Sequence, residues 1–316
     1  MSANTIKAVA ISGQTASGKS SVSLGLCKEF GGEIISADSM QVYRGMDIGT
    51  AKPSKAEQTR FKHHLIDILD IDEPYSLAVF ISLAKAALGE IKKAGKTSFV
   101  TGGTGLYIER LFCAPADLVD VRDAEIRNWL KNRAEAFGNS SLYDELKKID
   151  PSLAATTHPN NIRRVSRYLE LYYATGKTRA ELNTFSQGNA AYSPLYIFLY
   201  SKDRDYIYSR VNERVEKMFT AGLLDEVETL MRKGLEETPT ASAAIGYKEL
   251  FPYFKGERSL ETAKEEIKKS TRNYAKRQTT FFNRFRGRSE VNFIDIKDKN
   301  YEDRVFSLVG EYLQTP

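Results

Sequence analysis

Gly13-Gln14-Thr15-Ala16-Ser17-Gly18-Lys19-Ser20 is the stretch on which the fold turns. It fits the pattern G-x-x-x-x-G-K-[ST], and its flanks make the fit meaningful. Upstream, Ile6 to Ile11 is a short apolar run suited to a buried strand. Downstream, a helical pattern begins at Gly18 and ends near Gly31-Gly32. A strand, a glycine-rich loop and a helix in that order make a phosphate cradle. Glycines let the backbone curl so that its N–H groups and the helix N-terminus face an anion, while Lys19 adds positive charge and the Ser20 hydroxyl can hold magnesium. The expected diphosphate or triphosphate site is therefore Gly13, Thr15, Ala16, Ser17, Gly18, Lys19 and Ser20. The loop alone does not say which phosphate ester it holds.

Working outward, Glu33 to Ala37, Thr97 to Thr101 and Leu195 to Tyr200 read as further strands, with a last one at Val291 to Ile296. Helical segments between them imply crossovers and a parallel sheet, so the predicted class is α/β. Long helical patterns cover Asp203 to Thr220, Leu223 to Lys233 and Leu260 to Arg286. Between about Val121 and Gln187 the sequence turns charged and helix-forming, bounded by loop-like stretches around Pro115 and Gly188. This predicts an all-helical insertion at 121–187 in a core made of 1–120 and 188–316.

Lysine and arginine (46) outnumber aspartate and glutamate (41), a net charge of +5 that is too mild to identify a polyanionic partner. Where the bases cluster matters more. Arg163, Arg164 and Arg167, with Lys177 and Arg179 beyond, lie beside Tyr168, Tyr172 and Tyr173 in the insertion. A second run from Lys268 to Arg288 holds no acidic residue and interleaves Tyr274, Phe281, Phe282 and Phe285. Basic side chains neutralise phosphates and rings stack unpaired bases, as in the recognition of single-stranded RNA. The competing reading is a solvated helix face with aromatics packed beneath it.

Asp38 ends the second strand and should emerge at the carboxyl edge of the sheet, where ligands of open α/β sheets bind. A carboxylate there serves equally as a general base, a magnesium ligand or a turn cap. Thr101-Gly102-Gly103-Thr104-Gly105 follows another strand, so Thr104 joins the same edge or simply closes a turn. Arg210 and Arg214 share a helix face and would reach a phosphate or make surface ion pairs. His63-His64 has no third ligand at metal-binding spacing and reads as structural. Cys27 and Cys113 lack metal-ligand spacing too, which makes them packing residues in a reducing compartment. With no secretory signal pattern and no apolar stretch long enough to span a bilayer, the expected location is the cytoplasm, without membrane association.

Together these residues resemble the bacterial tRNA dimethylallyltransferases, or tRNA isopentenyltransferases. The resemblance runs through GQTASGKS at Gly13 to Ser20, ADSMQVYRGMDIGTAKP at Ala37 to Pro53, HHLIDI at His63 to Ile68 and GGTGLY at Gly102 to Tyr107. It continues in HPNNIRRVSRYLELYYATGK at His158 to Lys177, AIGYKE at Ala244 to Glu249 and YAKRQTTFF at Tyr274 to Phe282. It implies a P-loop, kinase-like core that binds dimethylallyl diphosphate with Mg2+. It also implies transfer of the dimethylallyl group to the exocyclic amine of the adenosine 3′ of the anticodon, with the insertion gripping the anticodon stem-loop. A monomer is expected.

By that resemblance Asp38 is the general base, and Lys19 and Arg214 stabilise the diphosphate. RNA contacts fall to Asp38, Ser39, Met40, Gln41, Thr104, Arg127, Arg163, Arg164, Val165, Ser166, Arg167, Lys276, Arg277 and Gln278. The chain departs from the family pattern at Gln14 (usually proline), Asn161 (commonly aspartate), Phe281 (frequently tryptophan) and Ser242-Ala243-Ala244, where an arginine occurs in other members. Three other functions use the same features. A small-molecule or nucleotide kinase would place ATP in the cradle. An adenylate isopentenyltransferase would have no need of the insertion, and an RNA-binding P-loop module would have no need of Asp38.

Overall fold

A computed structural model describes residues 5–113, 123–179, 181, 191–288 and 290–315. Six strands form one sheet: β1 (Ile6–Gly13), β2 (Gly32–Ser36), β3 (His63–His64), β4 (Thr97–Gly102), β5 (Tyr192–Tyr200) and β6 (Val291–Asp295). Their order is β3-β2-β4-β1-β5-β6, and every pairing is parallel. Helices cover such a sheet on both faces, which is why its central strands read as continuous apolar runs. Ala8 to Ile11 on β1 are all buried. The expected strands each appear, within a few residues of the predicted ends. Only β3 went unpredicted, because two histidines on an edge carry no apolar pattern.

The helices are α1 (Lys19–Phe30), α2 (Lys55–Arg60), α3 (Leu77–Lys93), α4 (Gly105–Cys113), α5 (Ala124–Phe137), α6 (Asn139–Ile149), α7 (Pro151–Ala155) and α8 (Ile162–Thr175). After β5 come α9 (Arg204–Thr220), α10 (Leu223–Arg232), α11 (Phe251–Phe254), α12 (Leu260–Asn283) and α13 (Tyr301–Gln314). The helix expected to run to Arg286 stops at Asn283, because the chain tightens into turns there and Gly287 takes a φ of 89°. None of the described helices is long and apolar enough to cross a membrane.

Two compact units result. The first comprises Met1–Phe112 with Ala190–Pro316, the second Cys113–Asn189. The boundaries expected at 120/121 and 187/188 lie outside the described residues. In the second unit α5, α6, α7 and α8 enclose Leu130, Leu142, Leu146, Ala154, Val165 and Leu169. Asp123 caps α5 by accepting from the N–H groups of Glu125 and Ile126, and Asn161 caps α8 by accepting from Arg164 N–H. The amide at 161 thus supplies the oxygen that an aspartate would supply there.

Strand register sets the site. Ser36 pairs with Thr101, Ser12 with Gly102 and Gly13 with Leu199, so the carboxyl ends of β2, β4, β1 and β5 finish close together. The backbones crowd at this edge. A Cβ on Gly13 would stand 2.3 Å from the Leu199 carbonyl oxygen, and one on Gly102 would stand 2.2 Å from that of Ala37.

Candidate active site at the carboxyl edge of the sheet

The glycine-rich loop leaves β1 at Gly13 and enters α1 at Lys19. Gly18, at the helix N-cap, has φ 86° and no side chain caps the helix. Ala16 also lies in the left-handed region, at φ 63°, a strained conformation for a residue with a Cβ. Ser17 N–H donates to the Gln14 carbonyl, which closes the turn. Among the described residues the N–H groups of Ala16, Gly18, Lys19 and Ser20 have no partner, and the buried Ser17 hydroxyl has none either. An uncapped helix N-terminus with several unpaired N–H groups attracts an anion.

Lys19 donates to the carbonyls of Gly13 (3.2 Å) and Gln14 (2.7 Å). Burial pushes its ammonium down to about 7, the nearby Arg214 guanidinium adds to the shift, and the Asp38 carboxylate opposes it. Burial also lowers the Arg214 value, with Asp38 opposing. Two cations thus converge here with only one carboxylate between them. Such a site is short of negative charge, which a diphosphate would supply.

Asp38 follows β2. Its Oδ1 accepts from Met40 N–H (2.9 Å) and Gln41 N–H (3.4 Å), so the turn-cap role foreseen for it is real. The second oxygen, Oδ2, has no hydrogen-bond partner among the described residues. Capping with one oxygen fixes the carboxylate and leaves the other for chemistry. Asp38 lines the same cavity of about 720 Å³ as Thr15, Ala16, Gly18, Lys19, Ser20, Arg210, Arg214 and Tyr274.

Several links that sequence reasoning missed hold this edge together. Gln14, which stands where the family pattern has proline, accepts from Ser201 N–H with Oε1 (2.8 Å) and donates from Nε2 to Thr279 (2.9 Å). Its amide therefore ties the loop to the end of β5 and to α12. Arg210 donates to the Ala16 carbonyl at 2.7 Å, bracing the strained residue rather than making a surface ion pair. Tyr274 bonds to Thr104 and Gln278, and its phenol is pushed up to about 12 by burial and then by Asp38. Ser23 and Thr101 share a hydrogen bond of 2.8 Å under the loop. Short polar side chains of this kind leave no periodic trace in a sequence.

The predicted RNA-facing residues fare unevenly. Ser39 and Met40 are half-buried beside Asp38, while the amide of Gln41 is engaged by Ser36, Thr50 and Ala51. Gln278 lines the cavity and also links two of its loops. It is buried, accepts from Thr15 N–H at 2.7 Å and donates to the Gly103 carbonyl at 2.9 Å, so it is a strut between two loops. Lys276 and Arg277, on the outer face of α12, are exposed.

The aromatic run that follows is mostly packing. Phe282 is buried against Phe198, while Phe281 and Phe285 pack on that cluster. In the helical unit, Val165 is fully buried, its side chain packed in the core. Arg163 and Arg164 are exposed, whereas Arg127 and Arg167 both pair with the buried Glu170, at 2.6 and 2.8 Å. Ser166 is half-buried. His64 donates from Nε2 to the Glu33 carboxylate at 2.7 Å, in keeping with a structural role. Cys27 packs in the core, as expected, and burial raises its thiol to about 12. The side chain of Cys113 lies outside the described residues.

Comparison with known proteins agrees with this geometry. The model of the IPP transferase family matches residues 41–285, and that of the isopentenyl transferases matches residues 6–73. The chain is 44% identical over 301 residues to the tRNA dimethylallyltransferase of Thermoanaerobacter sp. (strain X514), covering 94% of this chain and 95% of the relative. Among solved structures, it resembles the tRNA isopentenylpyrophosphate transferase of Bacillus halodurans, with 40% identity, coverage of 98% and 97% and a TM-score of 0.70. It also resembles a eukaryotic dimethylallyltransferase acting on tRNA, with 30% identity, coverage of 97% and 79% and a TM-score of 0.84. Matches of this length take in the cradle, Asp38 and the helical unit alike, so the chain belongs to the IPP transferase family, that of the tRNA dimethylallyltransferases.

Proposed function

We propose that this protein transfers the dimethylallyl group of dimethylallyl diphosphate to the exocyclic amine of the adenosine 3′ of the anticodon in tRNA, giving N6-dimethylallyladenosine and diphosphate. The observation that carries the reading is one cavity holding both the uncapped cradle, with Lys19 and Arg214, and the half-free carboxylate of Asp38. The adenine amine is a weak nucleophile because its lone pair is delocalised into the ring. As the amine nitrogen bonds to the allylic carbon, the carbon–oxygen bond to diphosphate breaks and Asp38 takes the amine proton. The charge growing on the leaving diphosphate falls among the free N–H groups of the loop, Lys19 and Arg214.

Magnesium fits this site. The Ser20 hydroxyl is exposed on the cavity and has no hydrogen-bond partner among the described residues, so it would hold the ion together with diphosphate oxygens. Bound there, magnesium would neutralise part of the diphosphate charge. An enclosed site would keep water from the reactive allyl group. Exposed Arg163 and Arg164, with Lys276 and Arg277, are the basic groups we assign to the RNA backbone, and Ser39, Met40 and Thr104 the groups beside the acceptor base. One chain supplies both the cradle and the base, which supports action as a monomer. A cytoplasmic location suits the substrate.

Unmodified tRNA incubated with dimethylallyl diphosphate and magnesium, then digested and weighed by mass spectrometry, should yield adenosine heavier by one five-carbon unit. Phosphate transfer from labelled ATP to a small molecule, with no change in the RNA, would instead establish the kinase reading. Modification of free AMP in preference to an anticodon stem-loop would establish the adenylate reading.

A further inference from the structure

The turn Asp47–Pro53 also lines the cavity, and it is held by a residue far along the chain. Glu226, on α10, gathers this turn. Its Oε2 accepts from the N–H groups of Asp47 (3.0 Å) and Ile48 (2.8 Å), and its Oε1 accepts from Gly49 N–H (3.1 Å) and the Tyr247 hydroxyl (2.6 Å). The Tyr247 ring lies so close over Gly49 that a Cβ there would stand 2.4 Å from Cε2. Tyr247 is itself fully buried, and burial with the Glu226 carboxylate raises its phenol well above the ordinary value.

The turn so held is strained. Ala51 has φ 47°, and in the segment joined to it through Lys52, Leu65 and Asp67 have φ 63° and 56°, all in the left-handed region that side chains with a Cβ resist. Lys52, its side chain almost wholly buried, bridges Asp47 and Asp67 at 2.5 Å each and donates to the Tyr43 carbonyl. The carbonyls of Thr50 and Ala51 then accept from Gln41 Nε2, and Gln41 Oε1 accepts from Ser36, two residues before Asp38. An unbroken set of hydrogen bonds thus runs from Glu226 to the segment that carries the base.

We propose that Glu226 is a positioning residue for alkyl transfer, shaping the Asp47–Pro53 wall and, through Gln41, the seat of the acceptor base beside Asp38. The inference rests on the alkyl-transfer reading and extends it to a residue that touches neither substrate. Glu226→Gln is a clean probe, because each carboxylate oxygen already faces two donors. An amide would point its own NH2 at two N–H or O–H groups in either orientation, at unchanged volume.

In the full-length Glu226→Gln protein, hydrogen exchange at the amides of Asp47, Ile48 and Gly49 should quicken by about 10- to 100-fold, the scale of losing hydrogen bonds to a charged acceptor. The kcat/KM for an anticodon stem-loop should fall by about tenfold or more, while the Kd for inorganic pyrophosphate stays within about twofold. Losses in kcat/KM from Glu226→Gln and Gln41→Leu should be non-additive, since both act on one linked turn.

Unchanged exchange at those three amides would overturn the proposal. So would simple additivity with Gln41→Leu, or a loss of pyrophosphate binding in step with turnover, which would mark a general folding defect. Should the amide variant fail to fold, Tyr247→Phe removes one of the four donors and keeps the ring, and unchanged exchange at Gly49 in it would overturn the proposal. A wild-type protein that leaves the stem-loop unmodified would refute the alkyl-transfer reading, and the exchange measurement would still decide the role of Glu226 in the turn.

Discussion

At the scale of single residues, Asp38 holds its turn with one carboxylate oxygen and has no partner for the other among the described residues. The residue also lines the cavity beside the glycine-rich loop. Asp38→Ala should lower turnover by about two to four powers of ten, the scale of general acid–base catalysis, with RNA affinity nearly kept. Single-turnover rates and filter binding check both halves, and near-normal turnover would remove Asp38 from the role.

Lys19 makes a pH prediction. Its ammonium titrates at about 7 in the free protein, and a bound diphosphate would restore the charged form. Pyrophosphate affinity should therefore fall by up to about tenfold per pH unit above 7, because binding must then take up a proton. Calorimetry in buffers of different ionisation enthalpy should show that uptake above neutrality, and Lys19→Met should abolish it.

At the scale of elements, the two-residue strand β3 joins the sheet through a charge cluster rather than an apolar face. Glu33 is buried on β2 and bonds to His64 and Lys96, with Lys62 at 3.5 Å. Burial opposes its ionisation, but Lys96 and His64 outweigh that and hold the carboxyl at about 2, below the ordinary 4.5. The resulting stability is full above about pH 4.5 and is lost as pH falls towards 2, on the order of 3 kcal/mol for a shift of this size. Acid unfolding of Glu33→Gln should lack that component while the variant is less stable at neutral pH. Identical acid titration curves for variant and wild type would contradict this account.

Helix α12 shows the same division of labour within one element. Tyr274, Gln278 and Thr279 hold the loops of the site from one side, and Lys276 and Arg277 face outward. Its basic pattern was legible in the sequence. Its struts were not, because glutamine and threonine are common on solvated helix faces.

For the whole molecule, the glycine-rich loop lies entirely in the unit built from 1–112 and 190–316, while Arg163, Arg164 and Arg167 belong to the helical unit. Replacing the three arginines with alanine should weaken tRNA binding and flatten its dependence on salt, by about 0.7 to 0.9 in slope for each phosphate that is no longer neutralised. Arg163 and Arg164 should carry most of this, since Arg167 already pairs with Glu170. Pyrophosphate binding by the same variant should match wild type. An unchanged salt slope would remove these arginines from the RNA grip.

By itself the sequence determined the α/β class, the cradle from Gly13 to Ser20, the emergence of Asp38 at a strand end and the helical insertion. These follow from local pattern: apolar runs, glycine at turns and the 3.6-residue period need no partner from elsewhere in the chain. Only the tertiary structure decided that Val165 is core, that Gln278 and Gln14 are struts, that Glu170 absorbs two arginines and that Glu226 holds a turn 177 residues away in sequence. Each of those roles is a hydrogen bond or contact between residues remote in the chain. A polar side chain reads the same in sequence whether water or a buried partner satisfies it.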